Sequence, residues 1–179
     1  MMVTNNLIIR PIAWGDLTRL CEIYSNPKVM RYIYHGHTRT KEETEKKLHG
    51  FIAHWQQHGF GVMALIEKIT QAIIGYSVLR YFDDTNPELI NQIELGYIID
   101  QPFWGKGYAT EAAQGCVALG FKQHNFTCIK ATILPENIAS QKVASHVGMR
   151  YTSNLMVAGL LHQIHEITLD DYKWQCIRC

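Results

Sequence analysis

A glycine-rich run extends from Gln101 to Glu111, between a strand-like and a helix-like segment. Gly105 and Gly107 leave backbone N–H groups uncovered, and the helix that follows directs further N–H groups and the positive end of its dipole to the same place. Lys106 adds a positive charge. The run predicts a site for a phosphate or pyrophosphate group, with a tight left-handed turn that binds nothing as the alternative. Its spacing argues against a P-loop nucleoside triphosphatase and against a dinucleotide oxidoreductase.

Glu94 lies in a strand-like segment, where alternation places it on one face with Gly96 and Ile98. The small Gly96 leaves open space beside the carboxylate, and such surroundings can raise the pKa of an acid. We predict that Glu94 acts as a general base, through water, in a reaction that releases a proton. The alternative is an exposed or structurally paired carboxylate.

Histidines and cysteines near the C-terminus are candidate metal ligands, but their spacing fits no common metal motif. His162 and His165 fall on opposite faces if their segment is a strand. Cys176 and Cys179 form a C-x-x-C without a second pair, so we interpret them as free thiols in a frayed tail, with a zinc or redox site as the alternative. We expect no metal.

The composition is that of an ordinary globular protein, since the 179 residues are 47% hydrophobic and 18% charged. A formal charge of +1, with no block of like charges, argues against a nucleic-acid partner. No run approaches the roughly 18 apolar residues that span a membrane, and residues 1–12 lack the pattern of a signal peptide. The odd number of cysteines, mostly in apolar stretches, favours a reducing compartment. We therefore expect a cytoplasmic protein that binds no membrane.

The hydrophobic pattern predicts alternating strands and helices in one domain, residues 1–179, because no repeat or linker interrupts it. Strands are expected at 7–12, 60–67, 72–82, 92–100, 127–134, 149–157 and 161–169. Helices are expected to begin at Asp16 as a cap, at Thr40 with a capping box to Glu43, at Tyr108 and after the cap Asn137, the last with Ala139, Val143 and Val147 on its inner face and Gly148 at its end. The crossover around the glycine-rich run predicts two parallel strands. The class is α/β with a mixed sheet.

In this order, the motifs resemble the GNAT N-acetyltransferase superfamily, and most closely its RimJ/RimL branch of ribosomal-protein N-acetyltransferases. The resemblance rests on Trp104-Gly105-Lys106-Gly107-Tyr108-Ala109-Thr110-Glu111 after a strand ending Gly96-Tyr97-Ile98-Ile99, on Asn137-x-x-Ser140 and Gly148-Met149 downstream, and on Leu7-Ile8-Ile9-Arg10-Pro11 and Asp16-Leu17 at the front. It covers nearly the whole chain. The superfamily's acyl-CoA loop usually begins with Gln or Arg, a position that falls on Trp104, and an aromatic residue is common there in this branch.

The resemblance implies a mostly antiparallel sheet of about seven strands with flanking helices and a splayed parallel strand pair that binds acyl-CoA. The cofactor would be acetyl-CoA, with its pyrophosphate on the glycine-rich run and its pantetheine arm along the strand that ends before it. Asn137 would contact that arm, and Ser140 would donate a hydrogen bond to the departing sulfur. The residues implied in cofactor binding are Tyr97, Ile98, Ile99, Trp104, Gly105, Lys106, Gly107, Tyr108, Ala109, Thr110, Asn137 and Ser140; those implied in catalysis are Glu94 and Ser140.

We therefore expect transfer of an acetyl group from acetyl-CoA to a primary amine, by a monomer or homodimer. A protein N-terminal α-amine, with a pKa of about 7.7 to 8.0, is more easily deprotonated than a lysine side chain near 10.4. The sequence leaves two alternatives open: a small-molecule acceptor such as an aminoglycoside or polyamine, and a non-catalytic acyl-CoA-binding regulator.

Overall fold

The computed structural model describes residues 1–82 and 86–178, without the side chains of Tyr34 and Arg178. Two compact units make up the chain. The first comprises residues 1–78 and 97–112, and the second comprises residues 79–96 and the chain from 113 onwards. The glycine-rich run belongs to the first unit.

The described residues form an eight-stranded sheet in the order β1-β2-β3-β4-β5-β6-β8-β7. The strands are β1 (Met2–Val3), β2 (Leu7–Pro11), β3 (Met63–Glu67), β4 (Ile73–Tyr81), β5 (Ile93–Ile99), β6 (Cys128–Ile133), β7 (Arg150–Val157) and β8 (Leu160–Thr168). Strands β5 and β6 run parallel, with Glu94 opposite Lys130, whereas the pairs β1–β2, β2–β3, β3–β4, β6–β8 and β7–β8 are antiparallel. The mixed, mostly antiparallel sheet is confirmed. The expected count of about seven omitted β1, because two residues show no periodicity.

Strand β4 is antiparallel to its neighbour β5. The N–H of Phe82 donates to the carbonyl of Gln92 at 3.1 Å, and the N–H of Asp100 donates to the carbonyl of Ile74 at 2.7 Å.

The helices are α1 (Leu17–Ser25), α2 (Pro27–Met30), α3 (Lys41–His58), α4 (Tyr108–Gln123), α5 (Ile138–Val147) and α6 (Leu169–Arg178). None of the helices in the described ranges is long and apolar enough to cross a membrane.

The core of the first unit joins α1, α2 and α3 to the face of β4 and β5 that carries Tyr76 and Ile98. The hydroxyls of Tyr24 and Tyr76 lie 2.5 Å apart within this core, so each satisfies the other's polar atom. Helix α3 begins as predicted, with Thr40 and Glu43 in its capping box, and Gly59 ends it in the left-handed conformation.

Asp16 occupies the N-cap position of α1 but does not cap it, contrary to the prediction. Its carboxylate accepts the N–H of Ala13 at 2.9 Å and two hydrogen bonds from Arg10, at 2.7 and 2.8 Å. The hydrogen bond from Arg10 to Asp16 raises the pKa of the guanidinium. Asp16 therefore stabilises the short 3₁₀ turn Trp14–Asp16 before the helix.

In the second unit, α4 packs on the face of β6 that carries Ile129. Gly120 allows the close approach, because a Cβ there would lie 3.0 Å from Ile129 Cδ1. Asn137 caps α5 and Gly148 ends it at a φ of 90°, as predicted. The inner face of α5 differs from the prediction at Ala139, which is exposed. The buried residues of this helix are Ala144 and Val147, of which Val147 was predicted.

The C-terminus is a helix, α6, so the predicted frayed tail is wrong. Thr168 and Asp171 cap it reciprocally: the Thr168 hydroxyl accepts the N–H of Asp171 at 3.2 Å and donates to its carboxylate at 2.8 Å. The hydrogen bond from Thr168 is the main cause that lowers the pKa of Asp171. Cys176 is an exposed free thiol on this helix, and Cys179 lies outside the described residues.

Candidate active site

The glycine-rich run forms a tight turn at the end of β5. The carboxylate of Asp100 accepts the N–H of Gln101 at 2.8 Å, and the indole N–H of Trp104 donates to the carbonyl of Ile99 at 2.6 Å. Gly105 and Gly107 have φ values of 77° and 82°, with no heavy atom within 4 Å of a Cβ built at either. The left-handed backbone, rather than lack of space, therefore requires glycine at both positions.

Helix α4 starts directly after this turn. The N–H of Glu111 donates to the carbonyl of Gly107 at 3.0 Å, which closes the first turn of the helix. The N–H groups of Tyr108, Ala109 and Thr110 thus precede the first intrahelical donor and point out of the helix N-terminus. The Lys106 ammonium stands 5.2 Å from the Phe103 ring centroid, on the exposed surface of the same turn. The geometry suits an anionic group of phosphate size.

Two carboxylates fix the start of α4, and neither contact was predicted. Glu111 accepts the backbone N–H and the side-chain amide of Asn6 at 2.7 and 2.8 Å. Glu67, at the end of β3, accepts hydrogen bonds from Tyr108 and, at 2.6 Å, from Thr70. The hydrogen bond from Thr70 is the largest cause that lowers the pKa of Glu67, and the bond to Glu67 raises the pKa of Tyr108. The phenol ring is therefore a buried anchor, and only its backbone N–H faces the turn.

The side chains of the last two residues of strand β5 are buried. Ile98 and Ile99 are 8% and 7% exposed, and Ile98 belongs to the core with Tyr76. A Cβ at Gly75 of β4 would lie 2.0 Å from the carbonyl oxygen of Ile98, so glycine permits this close strand approach. Tyr97 is half-buried.

Arg19 of α1 holds the end of β5, a role that sequence reasoning missed. Its Nε donates to the carbonyl of Ile73 at 2.9 Å, and its guanidinium pairs with Asp100. A second link joins the Asn26 amide to Gln101 at 3.3 Å. These contacts connect α1 and α2 to the residues that precede the glycine turn.

Glu94 lies in the second unit and is paired with an arginine. Arg80 Nε donates to its carboxylate at 2.8 Å, and the two side chains are 15% and 21% exposed. The pairing corresponds to the structurally paired carboxylate that the sequence left open as the alternative, because Arg80 compensates the charge of the carboxylate and holds it in place.

Asn137 and Ser140 stand at the start of α5, also in the second unit. The Asn137 side-chain oxygen accepts the N–H of Ser140 at 3.1 Å, which confirms the cap. Ser140 is half-buried at the third helical position. Gln141 donates from its amide to the carbonyl of Pro135 at 2.7 Å, which secures the loop before the helix.

The predicted site residues fall into two sets. Tyr97 to Ile99 and Trp104 to Thr110 belong to the first unit, whereas Glu94, Asn137 and Ser140 belong to the second. His162 and His165 are three positions apart on β8, so they lie on opposite faces of the strand. The described part of the chain contains no group of three or more potential metal ligands.

Residues 6–150 match the family model described as "Acetyltransferase (GNAT) domain". An uncharacterized N-acetyltransferase of Bacillus subtilis, YnaD, is 31% identical over 83% of this chain and 82% of its own length. Two solved structures share the fold. RimL, the ribosomal L7/L12 α-N-protein acetyltransferase, in complex with coenzyme A, has a TM-score of 0.77 at 16% identity, with 95% of this chain and 98% of that chain covered. An aminoglycoside acetyltransferase in complex with coenzyme A has a TM-score of 0.78 at 17% identity, with 95% and 99% covered. The chain belongs to the GNAT family of acetyltransferases.

Proposed function

We propose that this protein transfers the acetyl group of acetyl-CoA to a protein N-terminal α-amine, as a single catalytic domain over residues 1–179 of the RimJ/RimL type. The observation that carries the donor part of the proposal is the left-handed glycine turn at the N-terminus of α4. Its geometry fits the pyrophosphate of a coenzyme A, and the family membership fits acetyl transfer.

The turn would bind the anionic part of the donor through backbone N–H groups. The N–H groups of Tyr108, Ala109 and Thr110 point out of the helix, and Lys106 adds a charge beside them. The pantetheine arm would follow the backbone of Tyr97 to Ile99, because the side chains of Ile98 and Ile99 are buried.

Acetyl-CoA would supply a thioester whose carbonyl carbon is attacked by the neutral amine. Backbone N–H groups near Tyr97 and Ile98 would polarise the carbonyl oxygen. The amine nitrogen forms a bond to this carbon, the carbon–sulfur bond breaks, and Glu94 takes the proton that the nitrogen loses, through water. Ser140 would donate a hydrogen bond to the sulfur, and solvent would supply the proton that completes the thiol.

Charges around Glu94 favour an acceptor with few positive charges. Arg80 contacts Glu94 directly, and Lys130 lies opposite it on β6. A polycationic aminoglycoside or polyamine would meet the like charge of Lys130 beside the base, whereas the charge of Arg80 is balanced by Glu94. This favours a peptide α-amine over a small-molecule acceptor. The small-molecule alternative is tested as well, because one fold neighbour is an aminoglycoside acetyltransferase.

The test has two parts. Native mass spectrometry with acetyl-CoA measures donor binding, and an amine panel of N-terminal peptides, lysine peptides, spermidine and an aminoglycoside measures acetyl transfer. We expect one bound donor and the highest kcat/KM with an N-terminal peptide. A highest value with the aminoglycoside or spermidine would support the small-molecule alternative, and donor binding without transfer to any amine would support a non-catalytic regulator.

A further inference from the structure

A row of alternating charges crosses four neighbouring strands of the second unit. Arg80 on β4 donates to Glu94 on β5, Glu94 lies opposite Lys130 on β6, and Lys130 lies opposite Glu166 on β8. Residues directly opposite on neighbouring strands project to the same face of a sheet. The four side chains therefore share one face, in the order positive, negative, positive, negative. We call this set the charged row.

The charged row lies on the accessible face of this part of the sheet. All four of its residues are half-buried, whereas the opposite face carries the fully buried Ile129 and Ile167. Helix α4 packs closely on that opposite face, where a Cβ at Gly120 would lie 3.0 Å from Ile129 Cδ1. The row therefore lies on the side of the sheet away from α4.

Lys130 and Glu166 do not pair with each other, although their register places them side by side. Within the described residues, neither side chain forms a hydrogen bond or an ion pair, whereas the side chains of Arg80 and Glu94 are joined at 2.8 Å. Both charged groups are therefore available to a ligand that offers the opposite charges.

We propose that Lys130 and Glu166 recognise the acceptor. Lys130 binds an anionic group beside the reacting amine, and Glu166, one strand further, binds a hydrogen-bond donor or a cationic group of the acceptor. The proposal rests on the proposed function, in which Glu94 takes the proton of the amine. Neighbouring strands lie about 4.7 to 4.9 Å apart, so the anion would stand about 5 Å from the amine and the second group about 10 Å from it.

A peptide N-terminus with an acidic side chain in its first two residues carries this pattern. The α-amine faces Glu94, the carboxylate faces Lys130, and the next backbone N–H groups or a basic side chain face Glu166. Polyamines have no anion for Lys130 and add a cation beside it. The acceptor class inferred is therefore an acidic protein N-terminus.

The experiment compares two peptides that differ only by aspartate or asparagine at the second position. Hydrogen bonds to charged groups contribute about 1.5 to 3 kcal/mol, which corresponds to a preference of about 10- to 150-fold in kcat/KM for aspartate. Lys130→Met should bring this ratio close to one, Lys130→Arg should keep it, and Lys130→Glu should reverse the preference toward a lysine at that position. Lys142→Met, an exposed lysine on α5, is the matched control and should keep the wild-type ratio.

Glu166→Gln should raise KM for the aspartate peptide with little change in kcat, while Glu136→Gln, at an exposed position before α5, should leave both unchanged. Equal rates of the wild type with both peptides, or an undiminished ratio in Lys130→Met, would overturn the proposal while the proposed function stands. If no amine is acetylated at all, the proposed function fails. Calorimetry then measures the binding of the two peptides to the wild type and to Lys130→Met, and so tests whether Lys130 recognises the aspartate independently of catalysis.

Discussion

Substitution of Gly107 by valine should remove the thermal stabilisation that acetyl-CoA gives, and Gly159 provides a matched control. Both glycines are left-handed, at φ values of 82° and 79°, and a Cβ built at either meets no heavy atom within 4 Å. A side chain in this conformation costs roughly 1 to 2 kcal/mol, so both variants should lose a similar amount of folding stability. Only Gly107 lies in the turn before α4, because Gly159 connects β7 to β8.

The magnitude follows from linkage. A ligand that binds only the folded state stabilises it by about 2.7 kcal/mol at 100 times Kd. In a chain of this size, that corresponds to an increase in Tm of about 5 to 11 °C. Differential scanning fluorimetry should show this increase for the wild type and for Gly159→Val, and only a small fraction of it for Gly107→Val.

Two results would refute this reasoning. If Gly107→Val keeps the full increase in Tm, the pyrophosphate binds elsewhere and the turn is only structural. If Gly159→Val loses the increase as well, the effect comes from a general loss of folding stability and not from the turn. Titration of acetyl-CoA gives Kd for each variant, so that the comparison is made at equal saturation.

Three further predictions concern the remaining site residues. Glu94→Gln should lower kcat by about 10² to 10⁴-fold with little change in Kd for acetyl-CoA, and an unchanged rate from pH 6 to 9 would show that solvent takes the proton. Ser140→Ala should lower kcat by about 10- to 150-fold and leave Tm almost unchanged. Asn137→Ala should instead lower folding stability by about 1 kcal/mol through the lost cap. Normal turnover with a lowered Tm in Ser140→Ala would indicate that Ser140 has a structural role. For Glu111, burial opposes ionisation, but hydrogen bonds from Thr4 and Asn6 outweigh it and lower the pKa of the carboxyl. The contribution of Glu111 to folding stability is therefore complete above the unfolded pKa of about 4.3. It is lost as the pH falls through the lower pKa of the folded state. Chemical denaturation from pH 7 to 3 should therefore show a smaller acid loss for Glu111→Gln than for the wild type, and parallel curves would contradict the assignment.

Local signals in the sequence predicted the elements well. The capping box at Thr40, the cap at Asn137 and the left-handed end at Gly148 each depend on residues within one helical turn, and each occurs in the structure. Helix α4 begins at Tyr108, as predicted. Thr168 and Asp171 carry the same kind of signal for α6, but a strand was expected to continue to residue 169, with a frayed tail at Cys176 and Cys179.

Contacts between distant segments were not predictable, because they depend on tertiary packing. Asp16 is a local exception: it was expected to cap α1, but its carboxylate accepts hydrogen bonds from Arg10 and from the N–H of Ala13, which precede it by six and three residues. Glu67 and Arg19 are ordinary residues in the sequence. They act only because β3 brings Glu67 to Tyr108, and α1 brings Arg19 to Asp100.

The surroundings of Glu94 are set by strand register. Alternation along β5 predicts which face carries the carboxylate, but it contains no information on the residues that stand beside it on β4 and β6. A shift of one residue in the pairing of β6 would replace Lys130 with Ile129 or Ala131, which face the other side of the sheet. Two chains could therefore share the glycine turn and the strand carboxylate and yet present opposite charges to the acceptor. On this argument the donor site follows from local motifs, whereas acceptor preference follows from the charged row, and substitutions at Lys130 should change preference between acceptors without changing Kd for acetyl-CoA.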